Sequence, residues 1–298
     1  MLARRAACVR TPSCRPYITR RTLRPVPEVQ ADVDTFRADA FQPGTPALLP
    51  RQTFHQLPAV RKWFVTSSTG IELNSSYLAR FGSTTVPLEI SNDAAFARIE
   101  QSLSFFLEPY VPGGRAAMRA THSDDFSSAA TTPSPTARVY LAQAPMNDLP
   151  EQLKDDLPVP ELVLKAGKGD VYDSSVWLGR APTYTPLHRD PNPNLFVQLA
   201  GTKVIRLFKP DVGRAIFAKV QEAIGGSASA TMRGEEMMHG AEREALEAEV
   251  WGETSGLDSA GWEAELHGGD GLFIPKGWWH SVKGVGEGMT GSVNWWFR

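Results

Sequence analysis

The segment Thr183 to Phe208, TYTPLHRDPNPNLFVQLAGTKVIRLF, carries an imidazole and a carboxylate two residues apart, His188 and Asp190, where an apolar run meets a Pro/Asn turn. In an extended chain residues i and i+2 project to the same face, so both can point inward while Arg189 points away. Together they can offer one nitrogen and one oxygen to a single ion. Alone, the pair says little, because a buried His satisfied by a turn Asp is the commoner reason for such spacing. A third ligand should be a distant His that also borders a strand. GDGLFIPKGWWHSV offers His280 after a Gly turn, an apolar strand and a Pro-Lys-Gly kink. Two His and one carboxylate on one face of a metal leave the opposite positions open, the arrangement used by non-haem Fe(II) oxygenases. The other His residues fit less well. His55 and His122 lie upstream of the strand-rich region, His239 sits in an acidic helical stretch and His267 precedes a Gly turn.

Strands must position such a set, and the sequence supplies them. From Ala137 onward the short runs RVYLAQ, DVYDSSVWLG, LFVQL, KVIRLF, GLFIP and TGSVNWWF are punctuated by Gly and Pro, which predicts an antiparallel barrel or sandwich. Residues 211–253 interrupt it with Val212, Ile216, Val220 and Ile224 at helical steps, then a Gly/Ser/Ala break and the acidic run GEEMMHGAEREALEAEVWGE. Upstream, DVDTFRADAF and PAVRKWF read as short helical pieces and TTVPLEIS as a strand. DAAFARIEQSLSFFLEPY places Phe96, Ile99, Leu103 and Phe106 at helical spacing behind Asn92 as a cap, which predicts an amphipathic helix. The Ser/Thr/Pro-rich stretch His122 to Thr136 reads as a separating loop.

Composition bounds the surroundings of this site. A chain of 298 residues can bury a sizeable core, and nothing in it approaches the run of about 18 apolar residues that crosses a membrane. Its two cysteines, Cys8 and Cys14, are both near the N-terminus, so the body has no thiol ligands. The first 27 residues hold Arg4, Arg5, Arg10, Arg15, Arg20, Arg21 and Arg24 and no acid before Glu28, the composition of a mitochondrial transit peptide rather than a secretory signal. Arg15-Pro16-Tyr17 resembles the Arg-x-Tyr site of the matrix processing peptidase. Removal of residues 1–17 takes away four Arg and no acid, moving the formal charge from −2 to −6. An acidic body argues against nucleic acid as a partner.

The ordered set TPLHRDPNPNLFVQLAGTKVIRLF, GDGLFIPKGWWHSV and TGSVNWWF resembles the JmjC family of Fe(II)/2-oxoglutarate dioxygenases, in its cupin-like small hydroxylase branch rather than the large chromatin demethylases. VYLAQ and YLARFGSTTVPLEIS extend the likeness upstream, so that it covers about Trp63 to Arg298. The resemblance implies a mainly β fold, a double-stranded β-helix (cupin or jelly-roll) barrel with N-terminal α/β elements and a helical insert. The expected divisions are a leader over 1–27, an N-terminal portion over 28–136 packing on the barrel, and the catalytic barrel over 137–298 with its insert at 211–253.

The resemblance also implies Fe(II) on His188, Asp190 and His280 and 2-oxoglutarate as cosubstrate. Lys203, which opens the strand after the Ala200-Gly201-Thr202 turn, matches the family's cation for the distal carboxylate. Thr185 and Tyr140 match its hydroxyl donors, and Asn194 and Asn294 match positions lining the pocket. Alternation agrees, because Thr290, Ser292, Asn294 and Trp296 share one face, expected to be the inner one. Trp278, Trp279, Trp295 and Trp296 are expected to pack the barrel wall.

The implied reaction oxidises a C–H bond, with a protein or peptide side chain as the expected target. N-demethylation is the enzymatic runner-up, and RNA base hydroxylation suits an acidic body less. A non-catalytic cupin-like binding barrel would be signalled by a lost ligand or a lost cosubstrate cation, and neither is lost. Where relatives often carry an Asn-Pro-rich substrate loop this chain has its acidic insert. Glu235, Glu236, Glu242, Glu244, Glu247 and Glu249 gather there, and an acidic wall at the mouth would favour a basic target. The sequence stops at Arg298, directly after the last strand and without the C-terminal helices through which some relatives dimerise, so a monomer is expected.

The leader generates the first prediction. A full-length fluorescent fusion should enter mitochondria and a fusion lacking residues 1–27 should stay in the cytosol. A full-length fusion that remains cytosolic or nuclear would refute the targeting role.

Overall fold

The structure is a computed structural model and describes residues 23–68, 70–91, 96–108, 138–226, 238–252 and 260–298. Six strands come from the N-terminal part: β1 (Arg24–Pro25), β2 (Ala47–Leu48), β3 (Phe64–Ser67), β4 (Gly70–Leu73), β5 (Thr85–Ser91) and β6 (Phe96–Ser102). β7 (Arg138–Pro145) follows, then, after three short helical segments, β8 (Val171–Arg180), β9 (Thr183–Arg189), β10 (Asn194–Ala200) and β11 (Thr202–Phe208) in close succession. After two helices come β12 (Gly261–His267), β13 (Gly271–Ile274), β14 (Trp279–Val285) and β15 (Met289–Phe297). They form a five-stranded sheet, β1-β12-β11-β14-β9, an eight-stranded sheet, β2-β13-β10-β15-β8-β7-β5-β6, and the separate β3-β4 hairpin. This is the expected cupin, or jelly-roll, architecture.

The central strand β10 is buried along its whole length, and β15 is buried on both faces except at Trp296. In β15, Val293, Trp295 and Phe297 join the large core under the N-terminal helices, with Phe36, Trp63 and Phe106, while the alternate Ser292, Asn294 and Trp296 face the cavity between the sheets. The floor of that space is an apolar cluster of Ile205, Leu207, Leu272, Ile274 and Trp278. The outer face of the five-stranded sheet presents Leu187, Phe208 and Trp279 to the insert helices Pro210–Ile224 and Gly240–Trp251, which answer with Ile216, Phe217, Val220, Leu246 and Val250.

Three expectations change here. The spacing from Phe96 to Phe106 does not make one helix: Phe96–Ser102 is an edge strand paired along its length with β5, and only Leu103–Leu107 is helical, capped by the Ser102 hydroxyl accepting from the Phe105 amide. Tertiary pairing overrides a three-residue apolar spacing that is ambiguous over so short a run. The division at 136/137 cuts through one sheet, because β5 pairs with β7 across it and β2 pairs with β13. The N-terminal portion therefore supplies strands to the barrel rather than leaning on it. The leader boundary at 27 is also too late, since Leu23 and Val26 are buried and β1 pairs with β12. The loop over 122–136 lies outside the described residues.

Deleting residues 1–22 keeps every described contact and should leave the melting temperature unchanged. Deleting 1–27 also removes Leu23, Val26 and β1, a loss of roughly 2–4 kcal/mol, and should lower Tm by several degrees. Equal melting curves for the two truncations would show that β1 adds nothing.

Candidate metal and cosubstrate site

His188 and His280 stand directly opposite each other on the neighbouring strands β9 and β14, their ring centroids 4.2 Å apart. Beyond this pair the register slips: Val282 lies opposite Thr185, so two steps on β14 match three on β9. The extra residue falls at Pro186-Leu187, and a bulge is where a strand tolerates Pro. It resets the alternation, which lets Leu187 join the core outside the sheet while Thr185 and His188 both face the cavity. Asp190 follows two residues later in the Pro/Asn turn, and its backbone carbonyl accepts from the Gly277 amide in the kink before His280.

The three side chains are aimed by their unused atoms. His188 Nδ1 lies 2.8 Å from the Pro186 carbonyl and His280 Nδ1 lies 3.3 Å from the Trp278 carbonyl. A carbonyl can only accept, so both rings carry their proton on Nδ1 and leave the Nε2 lone pair free. Asp190 Oδ2 accepts from Asn194 Nδ2 at 3.0 Å and from Trp296 Nε1 at 2.8 Å, while Oδ1 faces His188 Nε2 at 3.9 Å. The ligand atoms all lie within 4.8 Å of one another, and all three residues are buried. Burial, followed by the neighbouring His188, pushes the His280 imidazolium down to about 4, so the ring is neutral at pH 7 and able to ligate. Burial by itself would raise Asp190, but His280, His188 and the bonds from Trp296 and Asn194 outweigh it and keep the carboxylate ionised. Two imidazoles with Nε2 turned away from their backbone partners and one carboxylate, open on one side, fit Fe(II).

The same cavity, about 170 Å³, extends from the triad to Lys203. Lys203 is 3% exposed and donates from Nζ to Ser292 Oγ at 2.7 Å, with the Phe196 ring 5.4 Å away. Its place depends on Gly201, whose left-handed φ of +67° turns β10 into β11; a Cβ there would come within 2.5 Å of the Met289 carbonyl oxygen. Among the described residues no carboxylate neutralises this ammonium, and desolvation pushes it down to about 7. Thr185 and Tyr140 line the cavity as well, and burial with the charge of Glu89 raises the Tyr140 hydroxyl, which stays a proton donor. Asn294 donates to Asn194 Oδ1 at 3.1 Å, but its own Oδ1 is buried and has no partner among the described residues. A cation, hydroxyl donors and an orphaned amide oxygen in one buried space beside the triad fit a small dicarboxylate next to a metal.

A family profile described as a cupin-like domain matches residues 34–298. The chain belongs to the cupin-like JmjC family. It is 28% identical over 269 residues to "Lysine-specific demethylase JMJ30" of Arabidopsis thaliana, covering 89% of this chain and 52% of that protein. It is 27% identical over 286 residues to "Jumonji C domain-containing protein 5" of Drosophila melanogaster, covering 92% and 60%. "Lysine-specific demethylase 8" of Danio rerio is 24% identical over 284 residues, covering 91% and 58%. The chain thus spans between half and three-fifths of the length of these relatives. Fe(II) and 2-oxoglutarate are the cofactors of this JmjC family, and the residues present fit both.

All eight expected site residues line this one cavity. Trp278, Trp279 and Trp295 pack in the three separate apolar clusters as expected. Trp296 does not: it donates to Asp190 and so helps to aim a ligand. Its membership of the inner face with Asn294 was the available signal. The acidic insert also differs from expectation. Glu247 pairs with Lys283 and Arg243, Glu249 pairs with Lys219, and Glu242 accepts from Gln221. No residue of the helix Gly240–Trp251 lines the cavity. These acids tie the helix to the strand of His280 through Lys283 and to the neighbouring helix Pro210–Ile224 through Lys219 and Gln221, instead of forming a wall at the mouth; Glu235 and Glu236 lie outside the described residues.

Lys203 generates the prediction for this site. Its depressed ammonium must be protonated to pair with an anion, so above pH 7 binding takes up a proton. The Kd for 2-oxoglutarate should then rise by about tenfold per pH unit, and be nearly flat below pH 7. Lys203→Ala should weaken binding by roughly 2–5 kcal/mol, abolish that slope and spare Fe(II) binding. Calorimetric titration of both proteins between pH 6 and 9 checks this, and a parental Kd without slope would place the charge elsewhere.

Proposed function

We propose that this chain is an Fe(II)- and 2-oxoglutarate-dependent oxygenase that hydroxylates a side chain of a protein substrate, with a basic residue as the favoured target. The observation that supports it most is the joint occurrence, in one buried cavity, of the open His188, Asp190, His280 set and Lys203, which no carboxylate pairs among the described residues. When bound, iron and cosubstrate supply the oxidation of a C–H bond by O2, coupled to decarboxylation of 2-oxoglutarate to succinate and CO2.

The chain's own residues do the rest. Lys203 and Ser292 would hold the distal carboxylate, with the hydroxyls of Thr185 and Tyr140 lining the same cavity as further donors. Trp296 and Asn194 fix the rotation of Asp190, so that one oxygen remains for the metal. Phe196, Val282 and Trp177 line the cavity with apolar surface that excludes water from the reacting centre. Lysine N-demethylation is the second reading. It uses the same oxidation on an N-methyl carbon, after which the hemiaminal collapses, and two of the relatives above carry the name of lysine-specific demethylase. The leader composition adds the proposal that the reaction takes place in mitochondria.

Asp190 provides the test, because it supplies the only negative charge of the ligand set. Asp190→Ala should fold, lose Fe(II) affinity by at least about tenfold and release no succinate from 2-oxoglutarate in the presence of Fe(II), ascorbate and a matrix-protein peptide pool. Mass shifts of +16 in that pool would mark hydroxylation, and −14 would mark demethylation. Equal iron affinity in the mutant and the parent would end the metal reading.

A further inference from the structure

Resting on the oxygenase reading, we propose that Asp173 and Tyr172 form a subsite at the cavity mouth for the cationic head of a lysine or arginine side chain. Among the described residues that line the cavity the carboxylates are Asp190 and Asp173, and the ammonium is Lys203. Asp190 and Lys203 are assigned to metal and cosubstrate. Asp173 has no part in either task.

Strand β15 measures where Asp173 lies. Trp177 of β8 is opposite Ser292, which accepts from Lys203, and Asp173 of β8 is opposite Trp296, which donates to Asp190. Four residues of strand separate the two positions, about 13 Å. The cosubstrate cation therefore lies toward one end of the cavity and Asp173 toward the other, at the level of Trp296 and its partner Asp190. Asp173 Oδ1 accepts from the Ser174 amide at 2.7 Å, and among the described residues its Oδ2 has no partner.

Tyr172 sits beside it by virtue of a bulge. Trp296 pairs with Asp173 and Phe297 with Val171, so Tyr172 is skipped by the ladder. A bulge re-aims the extra side chain, and Tyr172 is 59% exposed yet still lines the cavity. Its ring already attracts a guanidinium, that of Arg298 at 5.7 Å, whose charge is answered by Asp170 at 2.9 Å. An aromatic face and a carboxylate oxygen at the mouth of an apolar passage complement a cation on an aliphatic stem. Charge selection thus belongs to the rim of the cavity rather than to the insert, whose described acids are mostly paired.

The test compares charged probes with neutral isosteres on the full-length protein loaded with Mn(II) and 2-oxoglutarate: Nα-acetyl-arginine amide against its citrulline counterpart, and Nα-acetyl-lysine amide against its norleucine counterpart. The parent should bind each cation at least about tenfold tighter than its isostere, with a preference that fades as salt rises. Asp173→Asn should cut the preference to below about threefold, Asp173→Glu should retain most of it, and Tyr172→Ala should reduce it where Tyr172→Phe does not. A parent that binds Mn(II) and 2-oxoglutarate but shows no cation preference overturns the subsite and leaves the oxygenase reading standing. So does a preference untouched in Asp173→Asn or, should that variant not fold, in Tyr172→Ala. A parent that binds neither Mn(II) nor 2-oxoglutarate overturns both.

Discussion

A carboxylate buried between two sheets is the constraint around which this site is built. Asp190 has lost nearly all contact with water, and an isolated charge in such a place costs several kcal/mol. The chain answers with two N–H donors, Trp296 Nε1 and Asn194 Nδ2, on one oxygen only. The other oxygen, Oδ1, takes no such donor among the described residues and lies 3.9 Å from His188 Nε2, while His280 Nε2 lies 3.7 Å from Oδ2. This asymmetry is what makes Asp190 a candidate ligand rather than a fully satisfied structural acid such as Asp156, which is completely buried and accepts from Lys62, Trp63 and Tyr77. Asp156 has donors on both oxygens and nothing left to offer. Asp190 keeps one oxygen without a donor among the described residues, and an imidazole nitrogen stands within 4 Å of each of its oxygens.

Strand β15 carries that answer through the cavity. Its inner residues engage successive parts of the site: Ser292 receives Lys203, Asn294 bonds Asn194, and Trp296 bonds Asp190. Its outer residues, Val293, Trp295 and Phe297, are locked in the main core. With a side-chain period of two, sliding β15 by one residue would bury Ser292, Asn294 and Trp296 in that core and leave three large apolar groups in the cavity. The hydrophobic effect on one face thus fixes the polar geometry on the other. Tight coupling of this kind holds the supporting groups in place without any loop having to order.

Much of this was legible in the sequence, and the reasons differ by residue. His188, Asp190 and His280 were readable because two are close in sequence and the third ends a recognisable apolar strand. Lys203, Thr185, Tyr140, Asn194 and Asn294 were readable only through resemblance, since a Lys after a hairpin turn or a Tyr in a strand carries no signal of its own. The role of Trp296 stayed hidden because a Trp among Trp residues reads as packing, and what sets it apart is the position of its N–H. The helix drawn through Phe96 and Ile99 failed because neither residue is fully buried. Both lie on an edge strand, where spacing of apolar residues reports little about period. Neither bulge was visible, although the Pro186 bulge decides that Thr185 and His188 share a face.

The insert shows how a charge pattern can mislead when it is read without its partners. A run of Glu in a helix bordering an active site suggests electrostatic attraction of a basic ligand. Yet Lys283 lies on β14 three residues beyond His280, and it is this lysine that Glu247 holds at 2.6 Å, while Trp251 donates to Ser281 on the same strand. Arg243 and Lys283 also lie near the ring of Tyr184 on β9, the strand that bears His188. The acidic helix therefore grips, from outside the barrel, the two strands whose inner faces hold the imidazoles. Partly exposed ion pairs contribute little stability one by one, but here they accompany an apolar seam of Leu246 and Val250 against Leu187 and Trp279. That seam bears on the very residues flanking both His ligands. Substitutions in the insert would then reach the chemistry through the spacing of β9 and β14, a mechanical route, and not through the field at the cavity mouth.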